Sequence, residues 1–473
     1  MATSDDLKSL DTALAFDTWS TAVVHACTRR LVDYDAAGKL QPDLAEKWEI
    51  QDGGKSYCFT LGQGIQYADG SPIQAAHFVA ALARVRDPKT ASPGAAFFSG
   101  IASVDAPDPG TLVVKLKAPD PTLLNLMGLT FAAPLKPGQD SKLPSPSGPY
   151  QVEEYLPGEK VTLARNPHSE AAKAWVEKIV VQLKVAEALQ MTRFQSGEVD
   201  LLPAVPAAEL ARLAGDAEAQ KRLVRGVVPQ TWYFGMNVTR APWTNPKVRA
   251  AAALALDRER IVQLAGGGTV ANGILPPGVP GYRKERPAPA RDVDGAKKLL
   301  ADAGFPGGLP PGKPITLWLA SNEKYQRLAE AIQSDLKEVG IPVELKSVVL
   351  SEYLSGYRTK ADCWFGGWYP DFPDAGNFLE PVLHGRSVPP KGSNAAHYRN
   401  TEVDGLLDRA HAAPLGAERE ALYGQAEDRL LSDAPWAPLY FEEETRYARD
   451  GIQGITVHPV WRQILTGIRK GGA

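Results

Sequence analysis

Hydrophobic and polar residues follow two different periods along this chain, and the two periods predict strands and helices in turn. Residues 57–61 alternate aromatic and small side chains, which is typical of a half-buried strand. Between residues 78 and 85 the apolar side chains recur at helical spacing. We expect this helix to end at Asp87, because Pro88 pushes the residue before it out of the α region.

The same mixture continues along the rest of the chain. Residues 186–196 predict a helix that ends at a glycine and leads into a strand at 198–202. Asn245 is expected to cap a second helix, whose first position is Pro246, and Asp257 to cap a third. Further strands are predicted at 112–116, 161–165, 232–237 and 341–345, and one helix face carries Leu328, Ile332, Leu336 and Val339. The pattern therefore indicates an α/β protein.

Length and composition narrow the class of protein. With 473 residues the chain is long enough for about two to four domains. Its formal net charge of −3 makes neither nucleic acid nor an anionic membrane an expected partner. No run of about 18 apolar residues occurs. The cysteines Cys27, Cys58 and Cys363 stand apart without the spacing of a zinc site, so we predict no metal site.

Sequence motifs for nucleotide binding and for hydrolysis are broken or absent. The Gly-Lys-Ser at 54–56 looks like the end of a phosphate-binding loop, but Glu49 stands where that loop needs a glycine. The glycines at 266–268 precede a Gly/Pro segment and not a helix, which argues against a dinucleotide site. Neither G-x-S-x-G nor H-E-x-x-H occurs, and the histidines stand singly. We therefore predict that the chain is not an enzyme and carries no cofactor.

Four short segments follow one another in a fixed order near the start of the chain. They are Leu31-Val32-Asp33-Tyr34-Asp35, Pro42-Asp43-Leu44-Ala45-Glu46-Lys47-Trp48, Tyr67-Ala68-Asp69-Gly70-Ser71-Pro72 and the helix that runs into Arg84-Val85. Their order and spacing resemble the signature region of the family 5 bacterial extracellular solute-binding proteins, which are the oligopeptide-, dipeptide- and nickel-binding subunits of ABC importers. A second match to the family, N-x-x-V-R-x-A-x-x-x-A-x-D-R, runs from Asn245 to Arg258.

The resemblance implies a fold and a division into domains. The fold would be the type II periplasmic-binding-protein fold, with two lobes, a hinge cleft and an extra α/β domain on the first lobe. The Ser-Gly-Pro-Tyr at 147–150 resembles the family's T-G-P-Y element, where the chain returns to the first lobe. On this basis we predict lobe I at 1–36, 147–236 and 440–473, the additional domain at 37–146, and lobe II at 237–439.

The segment from Asp362 to Asp374 differs in kind from the other predicted strands. An apolar strand that contains glycine ends there in Asp371, which has aromatic neighbours and is followed by a proline turn. A carboxylate in that position is costly to desolvate unless a cation meets it. Two interpretations stay open, because Asp371 either caps the turn at Pro373 or awaits the ammonium group of a ligand.

The resemblance assigns roles to residues of this segment. In peptide-binding members of the family, the aspartate of the matching G-W-x-x-D-Y/F element pairs with the peptide α-amino group, and alignment puts that aspartate at Asp371. The backbone that pairs with the peptide would be that of Gly367 and Tyr369, with Trp368 between them. Some oligopeptide binders have a basic residue where this chain has Phe365, so the group that would meet a peptide carboxylate stays unidentified. The further ligand-binding candidates are Thr18, Trp19 and Ser20, in the segment that lines the cleft in relatives, and Trp232 and Tyr233 near the crossover, for which core packing is an equal alternative.

Together these implications predict the substrate-binding protein of an ABC importer, which captures a di- or oligopeptide between two lobes and delivers it to a membrane permease. We expect a monomer outside the cytoplasm, periplasmic or associated with the membrane, although residues 1–6 lack the features of a signal peptide. A metal chelate or an oligosaccharide is the alternative ligand, the latter because ten tryptophans offer stacking surfaces. A hydrolase on the same scaffold is a more remote alternative.

Overall fold

A computed structural model describes residues 1–169, 176–312 and 314–471 of the chain. The chain divides into two compact units, of which unit 1 is Met1–Gly226 with Glu444–Ala473 and unit 2 is Val227–Glu443. The chain passes between the units within two long strands, Leu223–Met236 and Trp436–Ala448. The predicted division into two lobes and an additional domain stays a prediction.

The helices differ widely in length and alternate with strands along both units. Within the described residues, no helix is both long enough and apolar enough to cross a membrane. The α-helices are α1 (Thr18–Cys27), α2 (Ala75–Arg86), α3 (Leu123–Met127), α4 (Glu187–Ser196), α5 (Ala207–Leu213), α6 (Ala217–Arg222), α7 (Pro246–Ala255), α8 (Arg258–Ala265), α9 (Val293–Asp302), α10 (Glu323–Glu338), α11 (Leu350–Lys360), α12 (Ala375–Leu383), α13 (Thr401–Ala412) and α14 (Ala417–Asp433), and short 3-10 turns lie at Asp52–Gly54, Pro88–Thr90, Thr130–Ala132 and Gly385–Ser387.

The strands range in length from two to 14 residues. They are β1 (Val32–Tyr34), β2 (Leu40–Pro42), β3 (Ala45–Gln51), β4 (Ser56–Leu61), β5 (Ile101–Asp108), β6 (Thr111–Leu116), β7 (Tyr150–Leu156), β8 (Lys160–Arg165), β9 (Lys178–Gln182), β10 (Leu201–Leu202), β11 (Leu223–Met236), β12 (Thr269–Val270), β13 (Ile315–Ala320), β14 (Val343–Val348), β15 (Cys363–Trp368), β16 (Trp436–Ala448), β17 (Ile452–Gln453) and β18 (Arg469–Lys470).

Unit 1 is assembled from several small antiparallel sheets. One sheet has the order β3-β4-β6-β5, a second has β7-β8-β9, and β1 pairs with β2. Alternate residues of β8, Val161 and Leu163, are buried with Ala22 and Val23 of α1 in one apolar cluster. The period of two along these strands therefore places one face of the second sheet against α1.

Unit 2 is organised around one mixed sheet. Its strands follow the order β16-β11-β15-β13-β14, in which β11 and β15 are antiparallel and β15, β13 and β14 are parallel. Both faces are covered, because Trp232 and Phe234 pack in one apolar cluster whereas Tyr233 packs in another. Strands of this kind are buried on both sides, and the sheet therefore forms the rigid centre of the unit.

Most predicted elements are confirmed, and two strands begin later than the pattern suggested. Helices α7 and α8 begin at the predicted caps, since the Asn245 and Asp257 side chains accept hydrogen bonds from the amides of Lys247 and Arg260. The predicted strand at 198–202 is only Leu201–Leu202, because the amides of Glu198 and Val199 are hydrogen-bonded to the end of α4. Likewise, the amide of Ile341 donates a hydrogen bond to the Leu336 carbonyl at the end of α10, and β14 therefore begins only at Val343.

Candidate functional site

The candidate site lies at the C-terminal end of β15, where the strand leaves the sheet. On one side β15 pairs with β11 along its whole length, with Gly367 opposite Trp232. On the other side β13 pairs only with Cys363 and Trp364. In the part of the chain that the structure describes, Gly366 has no strand partner on that second side. The end of β15 therefore offers an edge to which an extended chain could add.

Two glycines shape this edge because aromatic side chains lie over them. A Cβ atom on Gly367 would lie 2.7 Å from Nε2 of Gln230 and 3.1 Å from the ring of Trp232. A Cβ atom on Gly366 would lie 2.7 Å from the hydroxyl oxygen of Tyr353, which donates a hydrogen bond to the Phe365 carbonyl. The Gly-Gly pair is therefore required by the packing of unit 2, whatever its role toward a ligand.

Asp371 follows β15 by three residues and is half-buried. Its amide donates to Oδ1 of Asn377 at 2.7 Å, and Nδ2 of Asn377 lies 3.5 Å from its carboxylate. Among the described residues, no basic side chain forms an ion pair with this carboxylate. Burial raises the pKa of Asp371 above its usual value, and the Asn377 amide opposes that shift only in part.

The turn after β15 is capped by a different aspartate. Asp374 accepts a hydrogen bond from the amide of Gly376 at 2.7 Å and so forms the N-cap of α12. Its carboxylate also lies 2.8 Å from Nη2 of Arg419, and both side chains are almost fully buried. Within the described ranges, no backbone amide donates to the Asp371 carboxylate. Asp374 therefore caps α12, whereas the described residues show no capping hydrogen bond to the Asp371 carboxylate at the turn before Pro373.

Trp368 and Tyr369, at the end of β15, are partly exposed, and the same asparagine holds Trp368. Trp368 is half-buried, and its Nε1 donates to the carbonyl oxygen of Asn377 at 3.1 Å. Tyr369 is half-buried as well. Asn377 therefore orients both the indole ring and the main chain at Asp371. Sequence reasoning missed it, because its contacts depend on how the turn folds back onto β15.

A second residue that sequence reasoning missed lies on β11. Gln230 is buried, and its side chain lies beside Gly367 across the strand pair. Its Oε1 atom is inaccessible and has no hydrogen-bond partner among the described residues. An unsatisfied buried acceptor is costly, and because this atom is inaccessible it offers no contact to a ligand in this structure.

Trp232 and Tyr233 both lie in the packed interior of unit 2. The ring of Trp232 stacks on Phe365 with centroids 5.2 Å apart, and its Nε1 donates to Glu442 at 3.2 Å. Tyr233 stacks on Trp436 with centroids 3.5 Å apart. Both side chains are less than 9% exposed. Their position fits the core-packing alternative, and their role as ligand contacts stays a prediction.

The three candidates of unit 1 begin α1. Trp19 is buried with the apolar side chains of that helix, and Thr18 is half-buried. Ser20 is also buried, and its Oγ accepts hydrogen bonds from the amides of Lys8 and Ser9 at 3.0 and 3.2 Å. The structure thus gives Trp19 and Ser20 a role in packing, and Thr18 is the most accessible of the three.

Position 365 supplies no positive charge to β15. Phe365, which replaces the basic residue of some oligopeptide binders, is buried between Trp232 and Tyr325. No group of three or more acidic, histidine or cysteine side chains is arranged to hold a metal ion in the described portion of the chain. The Asp371 carboxylate beside the unpaired edge of β15 is suited to binding an extended, positively charged group.

Comparison with known families supports the same architecture. The model of a family described as "Bacterial extracellular solute-binding proteins, family 5 Middle" matches residues 39–389, which is more than half of the chain. The chain is 27% identical over 476 residues to the glutathione-binding protein GsiB of Salmonella typhi, covering 97% of this chain and 92% of that protein. It is 29% identical over 465 residues to the probable deoxycholate-binding periplasmic protein YgiS of Escherichia coli strain K12, covering 90% and 85%.

Solved structures share the fold over the whole chain. The clavulanic acid biosynthesis oligopeptide binding protein 2 superposes with a TM-score of 0.90 at 23% identity, covering 100% of this chain and 95% of that one. DppA from Helicobacter pylori, in complex with the peptide STSA, superposes with a TM-score of 0.78 at 23% identity, covering 100% and 97%. The predicted periplasmic-binding-protein fold is confirmed.

Proposed function

Because the chain belongs to family 5 of the bacterial extracellular solute-binding proteins, we propose that it binds a di- or oligopeptide and delivers it to the membrane permease of an ABC importer. Its carboxylate at Asp371 would pair with the α-amino group of the peptide. The observation that carries the proposal is that this half-buried carboxylate has an amide neighbour, Asn377, but no cationic partner among the described residues.

Burying the negative charge of Asp371 has an energetic cost. Burial raises the pKa of Asp371, which means that the ionised form is less stable there than in water. A ligand ammonium would remove that penalty and form a charge-assisted hydrogen bond. The site therefore favours ligands that carry a free amine over ligands that carry none.

The edge of β15 beyond Trp364, which β13 leaves unpaired, suits the rest of a peptide. The amide and carbonyl groups near Gly366 and Gly367 could pair with an extended backbone of any sequence. Asp371 would then fix the register of the peptide along this edge. Relatives named for glutathione and for a bound peptide support this ligand class, since glutathione is itself a tripeptide.

The alternative ligands find less support in the site. In the described portion of the chain, Trp48 and Trp368 are the tryptophans that are more than 9% exposed, which leaves few indole faces for sugar stacking. A bile acid such as the deoxycholate named for YgiS has no amine, and would leave Asp371 uncompensated. We propose that the protein acts outside the cytoplasm as a monomer and performs no covalent chemistry on its ligand.

Calorimetric titration tests this proposal with tri-alanine, glutathione and deoxycholate as probes. Binding to the peptides is expected, and Asp371→Asn should weaken it on the order of a hundredfold or more, because breaking one side of a buried pair costs roughly 3–5 kcal/mol. Asp302→Asn removes a carboxylate from the surface of α9 and serves as the matched control, with unchanged affinity expected.

Two results would contradict the proposal. Saturable binding of deoxycholate without binding of either peptide would move the protein to a ligand class that lacks an amine. Recovery of cleaved tri-alanine by mass spectrometry, in molar excess over protein, would show turnover and restore the hydrolase alternative. Native mass spectrometry of protein purified without denaturation would identify any ligand that is retained.

A further inference from the structure

A second pocket lies within unit 2, away from β15. Its volume is about 370 Å³, which is within the range of small-molecule sites. It lies between α7, the end of α14, the start of β16 and the segment around residue 287. Its walls are mainly apolar and include Ala250, Ala253, Leu254, Pro287, Pro289 and Leu431.

One charged side chain in this pocket lacks a counter-ion. Arg258 lines the pocket and is only 4% exposed. Its Nε donates to the Pro438 carbonyl at 2.8 Å, and its Nη1 lies 3.4 Å from the Leu256 carbonyl. In the described ranges no carboxylate pairs with this guanidinium and no acceptor is found for its Nη2. A buried cation without a paired anion is destabilising, and binding of an anionic group would offset that cost.

The other basic residue in the pocket is already compensated. Arg286 also lines the pocket, but its Nη1 lies 2.7 Å from Glu427 and its Nη2 lies 2.5 Å from Asp428. Neither acid is part of the pocket wall. Burial lowers the pKa of Arg258 to about 10, so its guanidinium stays protonated at neutral pH. Positive charge toward an occupant therefore comes from Arg258.

From this arrangement we infer that the pocket binds a small monocarboxylate with an aliphatic body. The carboxylate would accept from Nη2 of Arg258, since a guanidinium matches the planar carboxylate group. The aliphatic body would lie against Ala253, Leu254 and Leu431, where burial of apolar surface adds to the affinity. A neutral or cationic ligand of the same shape would gain only the second contribution.

This site is separate from the one at Asp371. The amide of Met236 donates to the Pro435 carbonyl, which precedes the start of β16, and Met236 pairs with Cys363 at the beginning of β15. Asp371 lies beyond the opposite end of β15, five residue steps of roughly 3.3 Å further along the strand and then past it. The inference therefore does not depend on the proposed peptide ligand, and Asp371→Asn should leave it unaffected.

Calorimetric titration of the whole protein with octanoate, 1-octanol and octylamine tests this inference. Octanoate should bind saturably, 1-octanol at least tenfold more weakly, and octylamine more weakly still. Arg258→Gln should remove the preference for octanoate over octanol. Because that variant also loses carbonyl contacts, Ala253→Phe provides a second test, since it fills the pocket and keeps the guanidinium.

Octanoate binding to the wild-type protein and to two variants decides whether the inference holds. Loss of octanoate binding in Ala253→Phe, with retained binding in Asp371→Asn, supports the inference. Equal affinity for octanoate and octanol in the wild-type protein would contradict it, as would unchanged octanoate binding in a folded Ala253→Phe protein. Absence of saturable octanoate binding up to millimolar concentration would also overturn it.

Discussion

Two aspartates three residues apart show how differently this protein treats buried negative charge. The carboxylate of Asp374 accepts a hydrogen bond from the amide of Gly376 and forms an ion pair with the buried guanidinium of Arg419. Among the described residues, the Asp371 carboxylate has only the amide group of Asn377 as a hydrogen-bond partner, and burial raises its pKa. Where the scaffold supplies the cation, the carboxylate serves folding. Where the described residues supply no cation, as at Asp371, the carboxylate is available to pair with a positively charged group of a ligand.

The largest expected effect in this comparison is on stability. Asp374→Asn keeps the helix cap but leaves Arg419 without its carboxylate, so we expect a loss of roughly 3–5 kcal/mol in the free energy of unfolding. Urea titration followed by tryptophan fluorescence measures it, with Asp371→Asn as the matched variant. If the two variants were equally destabilised, the distinction between the two aspartates would be wrong.

The sequence was sufficient to find Asp371 but not to explain its surroundings. A carboxylate after an apolar, glycine-containing strand is unusual on physical grounds alone, and the family resemblance supplied a role for it. The hydrogen bond from the Asp371 amide to Asn377 depends on the shape of the turn. Gln230 lies beside Gly367 only because of the register in which β11 pairs with β15. Neither relation leaves a local pattern in the sequence.

The same limit applies to the candidates on α1. The resemblance located the segment that contains Thr18, Trp19 and Ser20, but it did not indicate where each side chain points. Ser20 is held by the amides of Lys8 and Ser9, a contact between the helix and the chain before it. Helix and strand positions were more predictable, because caps such as Asn245 act on neighbouring residues.

The second-largest expected effect, after the loss of stability in Asp374→Asn, is on the pH dependence of peptide binding. A ligand ammonium needs the ionised form of Asp371, whose pKa is raised in the free protein and should fall again in the complex. Affinity for tri-alanine should therefore be constant at neutral pH and decrease, by up to about tenfold per pH unit, beginning above the usual aspartate value of about 3.9. Calorimetry between neutral pH and pH 4 measures it.

The matched control for that profile is Asp371→Asn, which lacks the titrating group. Its affinity should be low and nearly independent of pH over the same interval. Burial also raises the pKa of Glu427, to about 6, and any effect of that residue would be present in both proteins. Identical profiles for the two proteins would mean that Asp371 does not titrate with binding.

The smallest expected effect is a gain in stability without ligand. Since the folded-state pKa of Asp371 is raised, its ionised carboxylate opposes folding at pH values above that pKa. Asp371→Asn removes the charge and keeps the shape, so we expect the ligand-free protein to gain roughly 0.5–2 kcal/mol at neutral pH. Thermal unfolding measures the gain, which should vanish once the solution is acidic enough to protonate the wild-type residue. A loss of stability at neutral pH would indicate that Asp371 supports the fold.

The central claim is that Asp371 pairs with the amino group of a peptide, and a double-mutant cycle tests it most directly. Calorimetry gives four affinities, for wild type and Asp371→Asn, each with tri-alanine and with N-acetyl-tri-alanine. Acetylation should weaken binding to wild type on the order of a hundredfold and binding to Asp371→Asn very little, which is a coupling of roughly 3 kcal/mol. If acetylation weakened binding to both proteins by the same factor, Asp371 and the amine would be uncoupled and the claim would be false.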